Sequence, residues 1–136
     1  MSLPPREEKK CALVVDDLEC IRDMWRRVLD AAGFRVLEAA NGADGVREAK
    51  ASHPDVVLMD VTMPVLDGLS AVRLLKGDPD TADVRVIVIT GDSWLETLAR
   101  EAGCDGFLTK PVAQRELLAA VRRVLERSTG QDSGAP

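Results

Sequence analysis

The sequence predicts an α/β fold: one doubly wound domain built on a parallel sheet of five strands. Three observations carry that expectation. Five short apolar runs alternate with five longer segments of helical period. The connections between them are short, which selects right-handed β-α-β crossovers. Three of the runs are apolar almost without interruption, the pattern of strands covered by helices on both faces.

Taken in chain order, the first strand is expected at 11–15 (CALVV), and the paired acids Asp16 and Asp17 follow it. The next segment places Ile21, Met24, Trp25, Val28, Leu29 and Ala32 on one helical stripe, and Gly33 supplies its stop. The second strand is 34–37 (FRVL), with Glu38 and small residues behind it, and the second helix covers 43–51. The third strand, 56–59 (VVLM), runs directly into Asp60, and a helix follows at 69–76. The fourth, 84–89 (VRVIVI), is rich in β-branched residues and runs into Thr90; its helix covers 94–102 and stops at Gly103. The fifth strand is short, 106–108, and precedes Lys110 and Pro111. Leu117, Val121, Val124 and Leu125, widened by Leu118, mark the last helix.

The bounds are those of a single domain. The chain has 136 residues, 46% of them apolar and 30% charged, enough for one core and too few for two. Its formal net charge of −5 and lack of a Lys/Arg-rich run argue against a grip on a nucleic-acid backbone. No apolar run approaches the length of a membrane span, and the first ten residues lack the apolar stretch of a secretory signal. Cys11, Cys20 and Cys104 are odd in number and form no C-x-x-C, so they read as reduced thiols of a cytoplasmic protein. Residues 1–8 read as a flexible lead-in, 9–127 as the folded domain, and 128–136 (STGQDSGAP) as a tail or linker.

In an open α/β sheet, ligands bind beyond the carboxyl ends of the strands. That edge collects Asp16, Asp17, Asp60, Thr90 and Lys110. An aspartate after a strand is often only a turn-former or a helix cap, but chance is a poor explanation for all five positions together. Two carboxylates about 4 Å apart repel by about 4 kcal/mol at an effective dielectric of about 20. A hard divalent cation removes that cost. Mg²⁺ suits the set, because it takes one or two carboxylates, several waters and a phosphoryl oxygen.

These residues resemble the receiver domain of two-component response regulators. The matching pieces are VVDD at 14–17, LMDVTMPVLDG at 58–68, the Thr90 segment up to Gly91, and GCDGFLTKP at 103–111. The resemblance implies a flavodoxin-like sheet in the order 2-1-3-4-5, which the alternation of elements does not give. It implies Asp60 as phosphoacceptor, and Asp16, Asp17, Asp60 and the backbone carbonyl of Thr62 as ligands of Mg²⁺ or Mn²⁺. It implies Thr90 and Phe107 as switch residues, Lys110 as the contact to phosphoryl oxygens, a cis bond before Pro111, and Thr62 and Asp92 as tuners of the phosphoryl lifetime. The implied partners are a sensor histidine kinase or histidine phosphotransfer protein, and an output domain or target on the face of helix 4, strand 5 and helix 5. The implied role is a signalling switch, not an enzyme with its own substrate. Phe107 lacks the hydroxyl of the Tyr often found there, and Gly91, Cys104 and Leu18 also depart from familiar residues.

Other readings are weaker. A haloacid-dehalogenase-type phosphohydrolase needs an Asp at the position of Thr62 and usually a cap domain. A flavin carrier needs a phosphate loop where Asp16 and Asp17 stand. A receiver used purely as an interaction module does not need the complete acidic site. Trp25 reads as core, Trp94 as either a partner contact or partial core, His53 as a loop residue, and Arg22, Arg26 and Arg27 as a solvated helix face.

Overall fold

A computed structural model of the chain describes residues 9–61 and 67–127. The expectations for 1–8 and 128–136, and those placed on Thr62, lie outside the described residues. Five strands, β1 (Cys11–Val15), β2 (Arg35–Ala39), β3 (Val56–Asp60), β4 (Arg85–Thr90) and β5 (Gly106–Thr109), form one parallel sheet in the order β2-β1-β3-β4-β5. Helices α1 (Glu19–Ala31), α2 (Gly42–Ser52), α3 (Gly68–Gly77), α4 (Glu96–Ala102) and α5 (Gln114–Arg127) follow them in turn.

Side-chain alternation along the strands divides the core into two layers. Leu13, Val15, Val57, Met59, Val86 and Val88 point to one face, where Ala49 of α2, Ala71, Val72 and Leu75 of α3, and Ala99 and Ala102 of α4 cover them. Ala12, Val14, Val56, Leu58, Ile87 and Ile89 point to the other, against Trp25, Val28 and Leu29 of α1 and Leu117, Val121 and Val124 of α5. The small residues on α2, α3 and α4 let those short helices lie close to the sheet, whereas α1 and α5 fill their side with larger groups.

The strand ends differ from the sequence expectation in an instructive way. β3 includes Asp60 and β4 includes Thr90, so ladder hydrogen bonds hold the backbone of both residues, not a mobile loop. β2 begins at Arg35, one residue late, and continues through Glu38 to Ala39. Phe34 instead turns into the core beside α1. The fourth helical segment opens as a single 3-10 turn at Ser93–Leu95 before α4 begins. No side chain makes a capping hydrogen bond at either start, although Asp92 stands at the first. Caps are present elsewhere: Asn41 Oδ1 accepts from the Asp44 N–H at 2.8 Å at α2, and Asp67 Oδ1 from the Ser70 N–H at 2.8 Å at α3. Gly33 and Gly103 close α1 and α4 with positive φ of 97° and 108°, as their places in the sequence predict.

Candidate functional site

The site lies at the carboxyl edge of the sheet. Asp16 follows β1, and its N–H donates to the Ala39 carbonyl at 3.1 Å, which carries the β1–β2 pairing one residue further. Its carboxylate accepts from the Leu18 N–H at 2.9 Å, a short loop closure that aims the side chain back over the sheet. Asp60 ends the central strand β3 and is buried like Asp16, whereas Asp17 is exposed. One carboxylate oxygen from each of Asp16, Asp17 and Asp60 lies within 4.8 Å of the others. Lys110, just past β5, brings its Nζ to 3.9 Å from Asp16 Oδ2 and 3.8 Å from Asp60 Oδ1. The Lys110 N–H donates to the Thr90 carbonyl at 2.8 Å, and the Lys110–Pro111 peptide is cis. Thr90 is fully buried. Its Oγ1 accepts from the Asp92 N–H at 3.2 Å.

Five predicted residues therefore come together: Asp16, Asp17, Asp60, Lys110 and, at the neighbouring strand end, Thr90. Phe107 is half-buried on β5, opposite Val88, and packs on the core layer beneath α2, α3 and α4. Asp92 is exposed in the loop after β4.

The electrostatics set a clear demand. Burial pushes the Asp16 carboxyl above its ordinary range; the nearby Asp60 and Asp17 add to this, while the Leu18 N–H and Lys110 oppose it. Among the described residues, the Lys110 ammonium lies near two of the three carboxyl groups, Asp16 and Asp60. Behind Asp16 and Asp60 lie Val14, Val15, Trp25, Leu58 and Ile89, around a cavity of about 10 Å³, so the repulsion is felt against an apolar floor. Three hard oxygen donors, one of them open to solvent, fit a small divalent cation with room for water and a phosphoryl oxygen.

Two further residues shape this edge: Gly68, the last residue of the 58–68 motif, and Arg22, which the sequence assigns to a solvated helix face. Gly68 begins α3 where an added Cβ would meet the Asp60 carbonyl oxygen at 2.4 Å and Val61 Cα at 2.6 Å. Arg22 is not part of a solvated face: its side chain is only 16% exposed, and its Nη1 donates to the Asp16 carbonyl at 2.7 Å. Among the sequence signals, only the position of Glu38 behind β2 hints at that second arrangement. Of the tryptophans, Trp25 is core, and Trp94 stands 72% exposed on the 3-10 turn.

Residues 12–122 match the response regulator receiver domain family. The chain is 36% identical over 129 residues to PhoB, the phosphate regulon transcriptional regulatory protein of Pseudomonas aeruginosa, covering 93% of this chain and 56% of that one. It is 40% identical over 123 residues to the response regulator MprA of Mycobacterium tuberculosis, covering 89% and 53%. The chain thus spans about half the length of these curated relatives. Among solved structures, it is similar to the receiver domain of a sensor histidine kinase from Pseudomonas aeruginosa, with a TM-score of 0.81, 29% identity, and coverage of 88% of this chain and 99% of that one. That structure holds a magnesium ion in its active-site cleft. Chemotaxis protein CheY4 of Vibrio cholerae is similar at a TM-score of 0.81 and 28% identity, covering 86% and 99%.

Proposed function

The chain belongs to the response regulator receiver domain family, and from that premise we propose that it takes a phosphoryl group from a histidine phosphodonor onto Asp60 and signals its arrival at the surface around α4 and α5. The observation that carries the reading is the Lys110 ammonium 3.8 Å from the Asp60 carboxylate, within a cluster of three acids.

A carboxylate oxygen of Asp60 attacks phosphorus as the bond to the donor's imidazole nitrogen breaks. The electron pair stays with that nitrogen, and an acyl phosphate forms. A small acyl phosphate serves as an alternative donor, with a carboxylate leaving instead. Charge on the equatorial oxygens is what the site must stabilise, and the 3.8 Å approach of Lys110 to Asp60 supports that role for it. Asp16, Asp17 and Asp60, with the backbone carbonyl of Thr62, would hold Mg²⁺ or Mn²⁺, which would supply further positive charge there; the magnesium in the similar kinase receiver supports this.

Thr90 is suited to sense the product. Its oxygen already accepts the Asp92 N–H, which leaves the hydroxyl hydrogen for a phosphoryl oxygen. Its turn toward the phosphoryl group makes room for Phe107 to move inward, and the surface near α4 and α5 changes with it. Driving such a switch from 1:99 to 99:1 takes about 5.5 kcal/mol of preference, of the order of one or two charge-assisted contacts plus aromatic repacking. Water later hydrolyses the acyl phosphate, with Thr62 and Asp92 setting the lifetime.

The donor is a sensor histidine kinase or a histidine phosphotransfer protein. The receiver of the switch is an output domain or a target protein on the α4–β5–α5 face. A groove of about 330 Å³ between α1 and the Lys110–Pro111 turn, lined by Ile21, Met24, Trp25 and Val112, offers an incoming donor an apolar surface beside Lys110. The folded unit is 9–127, working in the cytoplasm; among the described residues no helix is long and apolar enough to cross a membrane.

The test is covalent labelling. Incubation with acetyl phosphate and Mg²⁺ should add one phosphoryl group by intact mass, and Asp60→Asn should remove that addition. Labelling of the Asn variant at the wild-type rate would exclude Asp60 as the acceptor.

A further inference from the structure

The backbone that carries the two acids after β1 is held from outside the site. The Arg22 guanidinium donates through Nη1 to the Asp16 carbonyl at 2.7 Å, and its Nε lies 3.3 Å from Glu38 Oε1 at the end of β2. Glu38 is held in turn by Arg26, whose Nε lies 3.3 Å from Oε2. A helix, a loop and an edge strand thus meet at one carbonyl oxygen.

That oxygen belongs to the peptide joining Asp16 to Asp17. The Asp16 side chain has its own restraint in the Leu18 N–H. Asp17 is exposed, and the plane of the peptide before it sets where its backbone stands. A charge-assisted bond to a carbonyl is short and directional, and the planar fork of arginine reaches two acceptors in a fixed geometry.

We propose that Arg22 is a positioning residue for the acidic centre: anchored by Glu38, it fixes the Asp16–Asp17 peptide and so aims Asp17 at the cation. This rests on the reading of the centre as a divalent-metal site. Residues that orient metal ligands from behind commonly contribute ten- to a hundredfold in affinity.

The sign of the effect separates a brace from a simple charge. Arg22 is a cation near a cation site. If it acted through charge alone, its removal would tighten metal binding. If it holds the peptide, its removal weakens binding in spite of the electrostatic gain. The experiment is Mn²⁺ titration of the full chain followed by the free-ion electron paramagnetic resonance signal, with Mg²⁺ competition and a thermal melt of each variant. Arg22→Met is expected to weaken Mn²⁺ binding about tenfold. Arg22→Lys keeps the charge but loses the fork, and is expected to recover only part of the affinity. Glu38→Ala should weaken binding less than Arg22→Met, and the double variant should match Arg22→Met, since both act on one carbonyl. Should Arg22→Met prove too unstable to titrate, Arg22→Lys carries the comparison, because it keeps the charge: a loss supports the brace, and wild-type affinity overturns it. Unchanged or tighter binding by folded Arg22→Met overturns the brace and leaves the metal site standing. Absence of Mn²⁺ and Mg²⁺ binding by the wild type overturns both.

Discussion

At the scale of single residues, the end of β3 is constrained by a position without a side chain. Gly68 lets α3 start against the backbone of Asp60 and Val61, where any Cβ would lie 2.4 Å from the Asp60 carbonyl oxygen. Both obstacles are backbone atoms of β3 and its exit, so neither can rotate aside. Gly68→Ala should therefore shift the end of β3 or the start of α3, at a cost of about 1–3 kcal/mol. A urea melt measures it, and slower labelling of Asp60 should accompany the lost stability; an unchanged midpoint would show that the junction yields without strain. The contrast between Asp60 and Arg22 shows what a sequence makes legible at this scale. Asp16, Asp60, Thr90 and Lys110 each terminate or follow an apolar run, so strand periodicity alone brings them to one edge. Arg22 sits on a helix among other arginines, and its partner is a main-chain oxygen six residues back. No residue type marks such a partner, so the chain reads there as an ordinary charged face.

Among the elements, α3 and α4 differ in how their ends are secured. Asp67 caps α3, accepting from the Ser70 N–H at 2.8 Å and the Ser70 hydroxyl at 3.0 Å. The backbone bond comes first among the causes that hold the Asp67 carboxyl below its ordinary range. Near the far end of α3, Lys76 Nζ donates to the Val84 carbonyl at 2.6 Å and pairs with Asp105 Oδ2 at 2.8 Å, which also accepts from the Val86 N–H. α3 is thus capped at its start and tied at its far end to the starts of β4 and β5. α4 has its C-terminal Gly103 set close over the Lys76 stem, but its start is uncapped. The spacing of apolar residues locates this helix but not its 3-10 turn, because Asp92 stands at the start of that turn without making a capping hydrogen bond. The capped end gives a pH prediction. A carboxyl with a lowered native pKa stabilises the fold fully above its unfolded value, about 3.9, and the contribution disappears as pH falls through the native value. Asp67→Ala should cost about 1 kcal/mol at pH 7. The gap between wild type and variant should hold constant from about pH 7 to pH 5 and close below about pH 4. A gap that widened in acid would contradict the cap.

For the molecule as a whole, the strand order could not be read from the alternation of elements, because helices on both faces of a parallel sheet are compatible with several orders. It came from the receiver motifs, and the order β2-β1-β3-β4-β5 agrees. The order matters to function: it makes β3 central and puts β4 and β5 on one side of it. Thr90 and Lys110 then become lateral neighbours of Asp60, with α4 between β4 and β5 in the chain. The chain beyond Thr90 leads through one short loop to the turn that opens α4, so on the proposed reading a change at Asp60 would reach α4 that way. Trp94 stands on that route, 72% exposed on the turn that opens α4, while Trp25 is buried under the acids. In a Trp25→Phe background, Trp94 becomes the sole tryptophan of the chain. Acetyl phosphate with Mg²⁺ should then shift its emission as labelling proceeds. Adding Thr90→Ala should leave the phosphoryl group on the protein, verified by mass, and remove most of that shift. If the emission change persisted in full without the Thr90 hydroxyl, the signal would reach α4 by another path, and the switch role of Thr90 would fall while Asp60 remained the acceptor.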